Sequence, residues 1–462
     1  MSFGRRTTRP GWRALLAGVA VLWLAGGGVL AQGAFYVEEL KDGRIYVFNL
    51  MSVYDEWKKT GEMGKSITRV GAGPNGETLV FDSEEAIHLY NFRHGLQGEV
   101  IFKPVEKKPV SNWSWKDGKS TFESDRALMV LSNRVQFRFT EEQPQNLESR
   151  GTYRIRRAKT KFEGWIYTKD LTYDLQMNWA DTVDFTGRNQ RILEDASLSY
   201  DFTRGRKAVM LKGGQFKVPF GRQELTSSGN LQFVDRSIVS TFFAGIFPRD
   251  QGIQLWGQTP MARIDWRTSM TNGNGINRAL NDNDKYRWDV RVVWQPFGEV
   301  KYSEGDLETT DRPLLAIAAI YQADNVQIGD PNSTAFDFET WGGDVTFKYR
   351  GFSIVSDYFR RLNRPELAGA EDFESRGWDV QAGYCVYKRF VEVAARYAVI
   401  DPSNIATPGA PRVNDHQIER GVALSWYINK HNLKLQTDYT QIETESIEST
   451  LDQYHLQAQW IF

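Results

Sequence analysis

The chain has 462 residues, a formal net charge of −1, one cysteine and 41% hydrophobic residues, with a mean hydropathy of −0.49. That polar average excludes a bundle of membrane helices, the balanced charge implies no nucleic-acid partner, and a lone Cys385 leaves no internal disulfide to form. Aromatic residues are plentiful (15 Trp, 19 Tyr and 27 Phe), which suits strands with one apolar and one polar face, in a membrane barrel or a large soluble β protein.

Residues 1–31 read as a secretory signal peptide. Arg5, Arg6, Arg9 and Arg13 precede the apolar run "ALLAGVAVLWLAGGGVLA", which ends in small residues. Without its four arginines the chain carries 53 basic against 58 acidic side chains. Residues 32–120 form a second region, expected to be a small α/β module and its linker. "KDGRIYVFN" and "PNGETLVFDS" resemble each other, with Val47-Phe48-Asn49 matching Val80-Phe81-Asp82. Each reads as turn, strand, then helix. "DSEEAIHLYNFRHG" offers an N-cap at Asp82 or Ser83 and a stop at Gly95. "KPVEKKPVSN" reads as a linker.

From about residue 125 the helical signal gives way to period-two alternation. Val135, Phe137 and Phe139 oppose Gln136 and Arg138. Leu171, Tyr173, Leu175 and Met177 oppose Asp174 and Gln176. Trp288, Val290 and Val292 oppose Asp289 and Arg291. About sixteen such segments follow, most near ten residues, a length that crosses a bilayer core when tilted about 45°. The fold class is therefore all-β: a transmembrane antiparallel β-barrel of about sixteen strands over residues 121–462, preceded by the module. With the module placed in the periplasm, the expected outer connections are long: 142–152, 181–190, 220–249, 272–285, 324–335, 363–375, 401–415 and 444–450. The periplasmic ones are short: "TKD", "TRGR", "TP", "RG", "K" and "NKH". Only 297–312, "FGEVKYSEGDLETTDR", is long on the wrong side. This is the loop pattern of outer-membrane barrels. In the last strand Tyr454, Leu456, Ala458, Trp460 and Phe462 alternate with His455, Gln457 and Gln459. It is expected to close against the first strand, because an open edge in lipid leaves unpaired N–H and C=O groups. Phe462 also resembles the C-terminal aromatic read by the barrel-assembly machinery.

Two stretches carry the chemistry expected of a pore. "YRIRRAKTKFEG", residues 153–164, holds Arg154, Arg156, Arg157, Lys159 and Lys161. Strict alternation cannot turn both Arg156 and Arg157 inward, so a β-bulge is expected between them and the parity of Ile155. The result is a wall that attracts anions, unless Asp and Glu across the lumen pair with these charges. The connection 220–249 is too apolar for an exposed loop, with Leu231, Phe233, Ile238, Val239, Phe242, Phe243, Ile246 and Phe247. Folded inward it would carry Arg222, Arg236 and Arg249 to the constriction; the alternatives are a lid or a subunit contact. Five dispersed histidines and the absence of HExxH, paired-Cys or Gly-x-Ser-x-Gly patterns point to no catalytic residue, metal or cofactor.

The pieces "GQFKVPFG", "L.FVDRS" and "RDQGIQLWG" within residues 211–257 resemble the signature of the phosphate-selective porin O and P family, as do "RRAK" and the final "QWIF". The resemblance spans about 125–462. It implies a trimeric sixteen-stranded outer-membrane barrel that passes small anions, with an inward third loop and arginines at the constriction. Arg138, Arg156 and Arg157 lie at positions similar to those that contribute in phosphate-specific members. Asp174, Asp265, Asp289 and Asp344 are also expected to face the lumen, which opposes strict phosphate selectivity. The competing readings are a general or sugar porin and a closed-lumen binding or adhesion protein.

Overall fold

The computed structural model describes residues 35–96, 112–180, 192–244, 248–278, 280–281, 283–327, 335–366, 369–387, 389–403, 416–445 and 449–462. The expected signal peptide lies outside these residues. The described chain falls into two compact units, 35–96 and 112–462.

In the first unit, strands β1 (Val37–Lys41) and β2 (Arg44–Phe48) form a hairpin. Its turn is Asp42-Gly43, both at positive φ (51° and 71°), the backbone a two-residue hairpin turn requires. Helix α1 (Met51–Thr60) crosses to β3 (Ile67–Arg69) and β4 (Thr78–Phe81), and helix α2 (Glu84–Arg93) follows. The sheet order is β1-β2-β4-β3, with β2 and β4 parallel. Period-two alternation in β2 gives each helix its own face. Trp57 of α1 packs on Tyr46 and Phe48, while Ala86, Ile87 and Tyr90 of α2 pack on Val47, Leu79 and Phe81. The two similar stretches lie side by side, Val47 opposite Phe81. Asp82 Oδ2 accepts the N–H groups of Asn49 (2.9 Å) and Leu50 (2.8 Å), just ahead of α1. Ser83 is the N-cap of α2, its Oγ accepting from the Ala86 N–H at 3.0 Å.

The second unit begins with a hairpin, β5 (Asn112–Lys116) and β6 (Lys119–Glu123), followed by sixteen strands. These are β7 (Ala127–Pro144), β8 (Arg150–Ile166), β9 (Thr168–Asn178), β10 (Leu193–Asp201), β11 (Met210–Lys217), β12 (Arg249–Gln258), β13 (Ile264–Thr271) and β14 (Arg287–Trp294). They continue as β15 (Leu314–Gln327), β16 (Ala335–Tyr349), β17 (Phe352–Pro365), β18 (Phe373–Tyr387), β19 (Val391–Asp401), β20 (Gln417–Asn429), β21 (Leu433–Thr444) and β22 (Ser449–Ile461). Each pairs antiparallel with the next, and β22 returns to β7, from Leu451 opposite Pro144 to Ile461 opposite Arg134. The barrel is closed, as the seam argument requires. Strand β20 shows why the period matters. Glu419, Ala423, Ser425 and Tyr427 are buried inward, while Val422, Leu424 and Trp426 stand exposed on the outer wall.

Two boundaries differ from expectation. Hairpin β5–β6, read as module and linker, pairs with β7 (Phe122 opposite Met129) and so belongs to the barrel sheet. The β8–β9 turn is Tyr167 alone (φ 62°), and Thr168, Lys169 and Asp170, expected as the turn, open β9.

The lumen is partly filled from both rims. The connection 218–248 enters carrying helices α3 (Arg222–Leu225) and α4 (Ile238–Phe243). Its Val218, Phe220, Val239 and Phe243 pack on Ile320, Phe359, Ala398 and Ile400 of the inner wall. This accounts for the apolar composition of its described residues, which pack inside; Ile246 and Phe247 lie outside the described residues. Glu419 Oε2 accepts the Ile238 N–H (2.8 Å), Asp438 Oδ2 the Val234 N–H (2.6 Å), and Asp379 the Ser237 hydroxyl (2.5 Å). From the opposite rim the connection 295–313 folds in and meets it. Glu304 Oε2 accepts from the Gln232 N–H (2.8 Å) and from Gln381 Nε2 (2.9 Å), and Lys348 Nζ donates to the Ser303 carbonyl (2.7 Å). The segment that was too long for its rim is thus lumen filling.

Candidate functional site

What stays open is a cavity of about 750 Å³. One wall is the inward row of β7–β13; the other is the two infolded connections. Among the described residues eleven basic side chains line it (Lys119, Arg134, Arg156, Arg157, Lys159, Lys161, Lys212, Lys217, Arg236, Arg249 and Arg267) against five acidic ones (Glu163, Asp174, Glu194, Asp195 and Glu224).

Local register explains the densest part. Gln136 lies opposite Arg157 but Phe137 lies opposite Ile155, so Arg156 is the extra residue of a β-bulge. The bulge turns both guanidiniums into the cavity, as the parity conflict in the sequence required. Arg157 Nη1 donates to Gln136 Oε1 at 2.9 Å. Lys159 Nζ lies 2.5 Å from Glu194, and Lys161 bridges Glu163 (2.7 Å) and Asp174 (2.9 Å). Arg249 holds Asp195 with both Nε (3.0 Å) and Nη2 (3.1 Å). Arg236 reaches the cavity while donating to the carbonyls of Gln223 (2.8 Å) and Thr226 (2.9 Å).

Three expected pore residues sit elsewhere. Arg138 is fully buried and clamps Asp235 of the infolded loop with two bonds (2.6 and 3.1 Å). Arg222 is buried against the other connection, donating to the carbonyls of Val300 (2.8 Å) and Lys301 (2.7 Å), with its guanidinium 4.5 Å from the Tyr302 ring centre. Both fix the loops rather than line the large cavity, because the Asp235 carboxylate and the Val300 and Lys301 carbonyls take up their donors. Arg154 lies opposite Arg138 in register, is exposed and borders no part of that cavity.

Sequence reading missed Lys119, Arg134, Lys212, Lys217, Arg267 and Tyr302. Arg267 stood in an alternating polar row with Arg263 and Asp265, and Lys212 and Lys217 stood in "LKGGQFKVPFG", so parity was their available signal. Tyr302 had none. It borders both the main cavity and a smaller one of about 210 Å³, lined also by Trp256, Asp265 and Glu299. The four aspartates expected to face the lumen are each matched, Asp174 by Lys161, Asp265 by Arg267 (2.9 Å), Asp289 by Arg287 (3.1 Å) and Asp344 by Arg291, whereas Asp357 of the inward row of β17 is buried with no hydrogen-bond partner for its carboxylate among the described residues.

The molecule is a sixteen-stranded closed barrel with an infolded third long connection and a basic cavity, and the family model described as phosphate-selective porin O and P matches residues 131–462. The chain belongs to this family. It is an outer-membrane porin of channel type. Among solved structures, the anion-selective porin from Comamonas acidovorans shares 11% identity over 73% of this porin and 100% of that chain, with a TM-score of 0.51. The outer membrane channel DcaP of Acinetobacter baumannii shares 14% over 73% and 98%, with a TM-score of 0.48. At such identities the first likeness speaks for the fold. A comparison with curated proteins found no match. The family match begins at residue 131, so neither the first unit nor hairpin β5–β6 falls within it.

Proposed function

We propose that this porin passes small anionic solutes, phosphate among them, through the basic cavity. One observation carries the reading: all five cavity carboxylates are ion-paired, and basic charge is left over. Glu163 and Asp174 are held by Lys161, Glu194 by Lys159, Asp195 by Arg249, and Glu224 by Lys217 (3.3 Å) and Arg236 (3.2 Å). Lys212 makes no ion pair among the described residues, and the hydrogen bonds of Arg134 and Arg157 go to neutral Ser227 (2.7 Å) and Gln136. Surplus positive charge on low-dielectric walls focuses the field and concentrates anions. Planar guanidiniums suit the oxygens of phosphate or carboxylate. The test is a reversal potential in planar bilayers under a salt gradient. Anion preference is expected; cation preference would overturn the reading, and absence of conductance would favour the closed-lumen alternative.

The same proposal extends to the setting. We place the first unit in the periplasm and take β22 as the strand read by the assembly machinery. A homotrimer follows from the family resemblance.

A further inference from the structure

The hairpin β5–β6 has the two-faced pattern of a membrane strand although it precedes the family match. Its facing is fixed by β7. Ser132 and Arg134 line the cavity, so Met129 and Leu131 face outward. Phe122 lies opposite Met129 and Ser120 opposite Leu131; Trp113 and Trp115 lie opposite Phe122 and Ser120. Trp113, Trp115 and Phe122 therefore share the outer face, at 65%, 60% and 40% exposure. The inner face is polar, and its Lys119 reaches the cavity.

The hairpin also fills a gap in the seam. Strand β22 covers β7 only as far as Arg134, after which Phe462 exchanges backbone hydrogen bonds with Asn133 (3.0 and 2.7 Å). Residues 128–132 of β7 would have an open edge there, and β6 pairs with all five. The turn abuts the end of β22: Gly118 has φ 73°, and a Cβ on it would lie 2.6 Å from the Ile461 carbonyl oxygen. Asn432 Nδ2 donates to the Asp117 carbonyl at 2.9 Å.

We propose that this hairpin is a membrane-interface anchor, whose Trp113, Trp115 and Phe122 dock into the phospholipid headgroup–acyl boundary at this rim. Its outer face continues the outer wall strand by strand: Ser120 is opposite Leu131, Leu131 opposite Phe162 and Phe162 opposite Leu175. Trp at the end of an apolar strand row is the residue suited to that boundary, with an apolar ring and one polar N–H. The open pairing edge explains why a hairpin sits there, and the aromatic face explains what it touches.

The test is a nitroxide accessibility measurement on the full chain in phosphatidylcholine vesicles. Cys385 is replaced by Ser, and single cysteines are placed at Ser120 (outer face) or Thr121 (inner face), leaving both tryptophans intact. The label at 120 should collide several-fold more with oxygen than with a water-soluble nickel chelate, and the label at 121 should reverse that ratio. Equal nickel access at both sites would overturn the proposal. So would a label at 120 shielded from both reagents with spin–spin broadening, which would assign the face to a second copy of the chain. Adding Trp113→Ala and Trp115→Ala should move the 120 label toward water and leave single-channel conductance unchanged; a label that stays at the same depth would overturn the anchoring role.

Discussion

Single side chains divide into those that carry the field and those that hold the frame. On the proposed reading Arg156 and Arg157 carry it, because the bulge spends one extra residue of β8 to point both inward. Arg156→Ala with Arg157→Ala should lower the anion-over-cation permeability ratio in bilayers while leaving the barrel folded; an unchanged ratio would remove the pair from the solute path. Arg291 holds the frame. It and Asp344 are both fully buried, with Nη2 3.0 Å from Oδ1, and Nη1 also donates to the Phe220 carbonyl at 2.9 Å. Arg291→Leu leaves a buried carboxylate without its cation and should cost about 3–5 kcal/mol in urea titrations of the refolded porin. Arg291→Leu with Asp344→Leu should recover much of that loss, because the uncompensated charge is gone. Which arginine plays which part was legible only where it followed from parity. The conflict at Ile155, Arg156 and Arg157 could be read from twelve residues. The clamp of Arg138 on Asp235 spans 97 positions and needs the fold to bring the partners together.

At the scale of elements, the connection 295–313 stands out. Period and loop length located the sixteen strands from β7 to β22, and this segment was the one mismatch in the alternation of long and short connections. The mismatch had a physical cause that alternation cannot express: the segment fills the lumen, with Val300 packed among Val293, Ala316 and Ala318. Small inward alanines on β15 make the room. Replacing residues 298–311 by a short Gly-Ser linker should therefore raise single-channel conductance and open the smaller cavity beside Tyr302 into the main one. An unchanged conductance would mean that the third long connection alone sets the bore. Hairpin β5–β6 escaped sequence reading for the opposite reason. In "NWSWKDGKSTFE" the alternation is clear only in Trp113 and Trp115, each strand is half the length of a crossing strand, and the stretch follows a Pro- and Lys-rich segment, so composition outweighed period.

Across the whole molecule, a barrel with its own closed set of strand pairings follows a small unit that is complete in itself. Sixteen strands and their closure were legible because each strand obeys the same two-residue rule. The first unit was legible only in outline, because its repeat is short. Its stability, however, is local. All four strands pair within it, and among the described residues the apolar cluster from Val47 to Tyr90 draws on none beyond 96. A fragment of residues 35–96 should accordingly be soluble, give a mixed helix–strand circular dichroism spectrum and melt cooperatively; a random-coil spectrum would mean that it folds only with the rest of the chain. In that fragment Asp82 ties the two similar stretches together, since one carboxylate oxygen accepts both N–H groups that precede α1. Asp82→Ala removes those acceptors and should lower the unfolding free energy by about 1–2 kcal/mol, as loss of a helix cap does. Ser83→Ala, which strips the cap of α2 instead, should cost a similar amount. The two losses should fall short of additive, because Ser83 Oγ also donates to Asn49 Oδ1 at 2.6 Å and so couples the two helix starts.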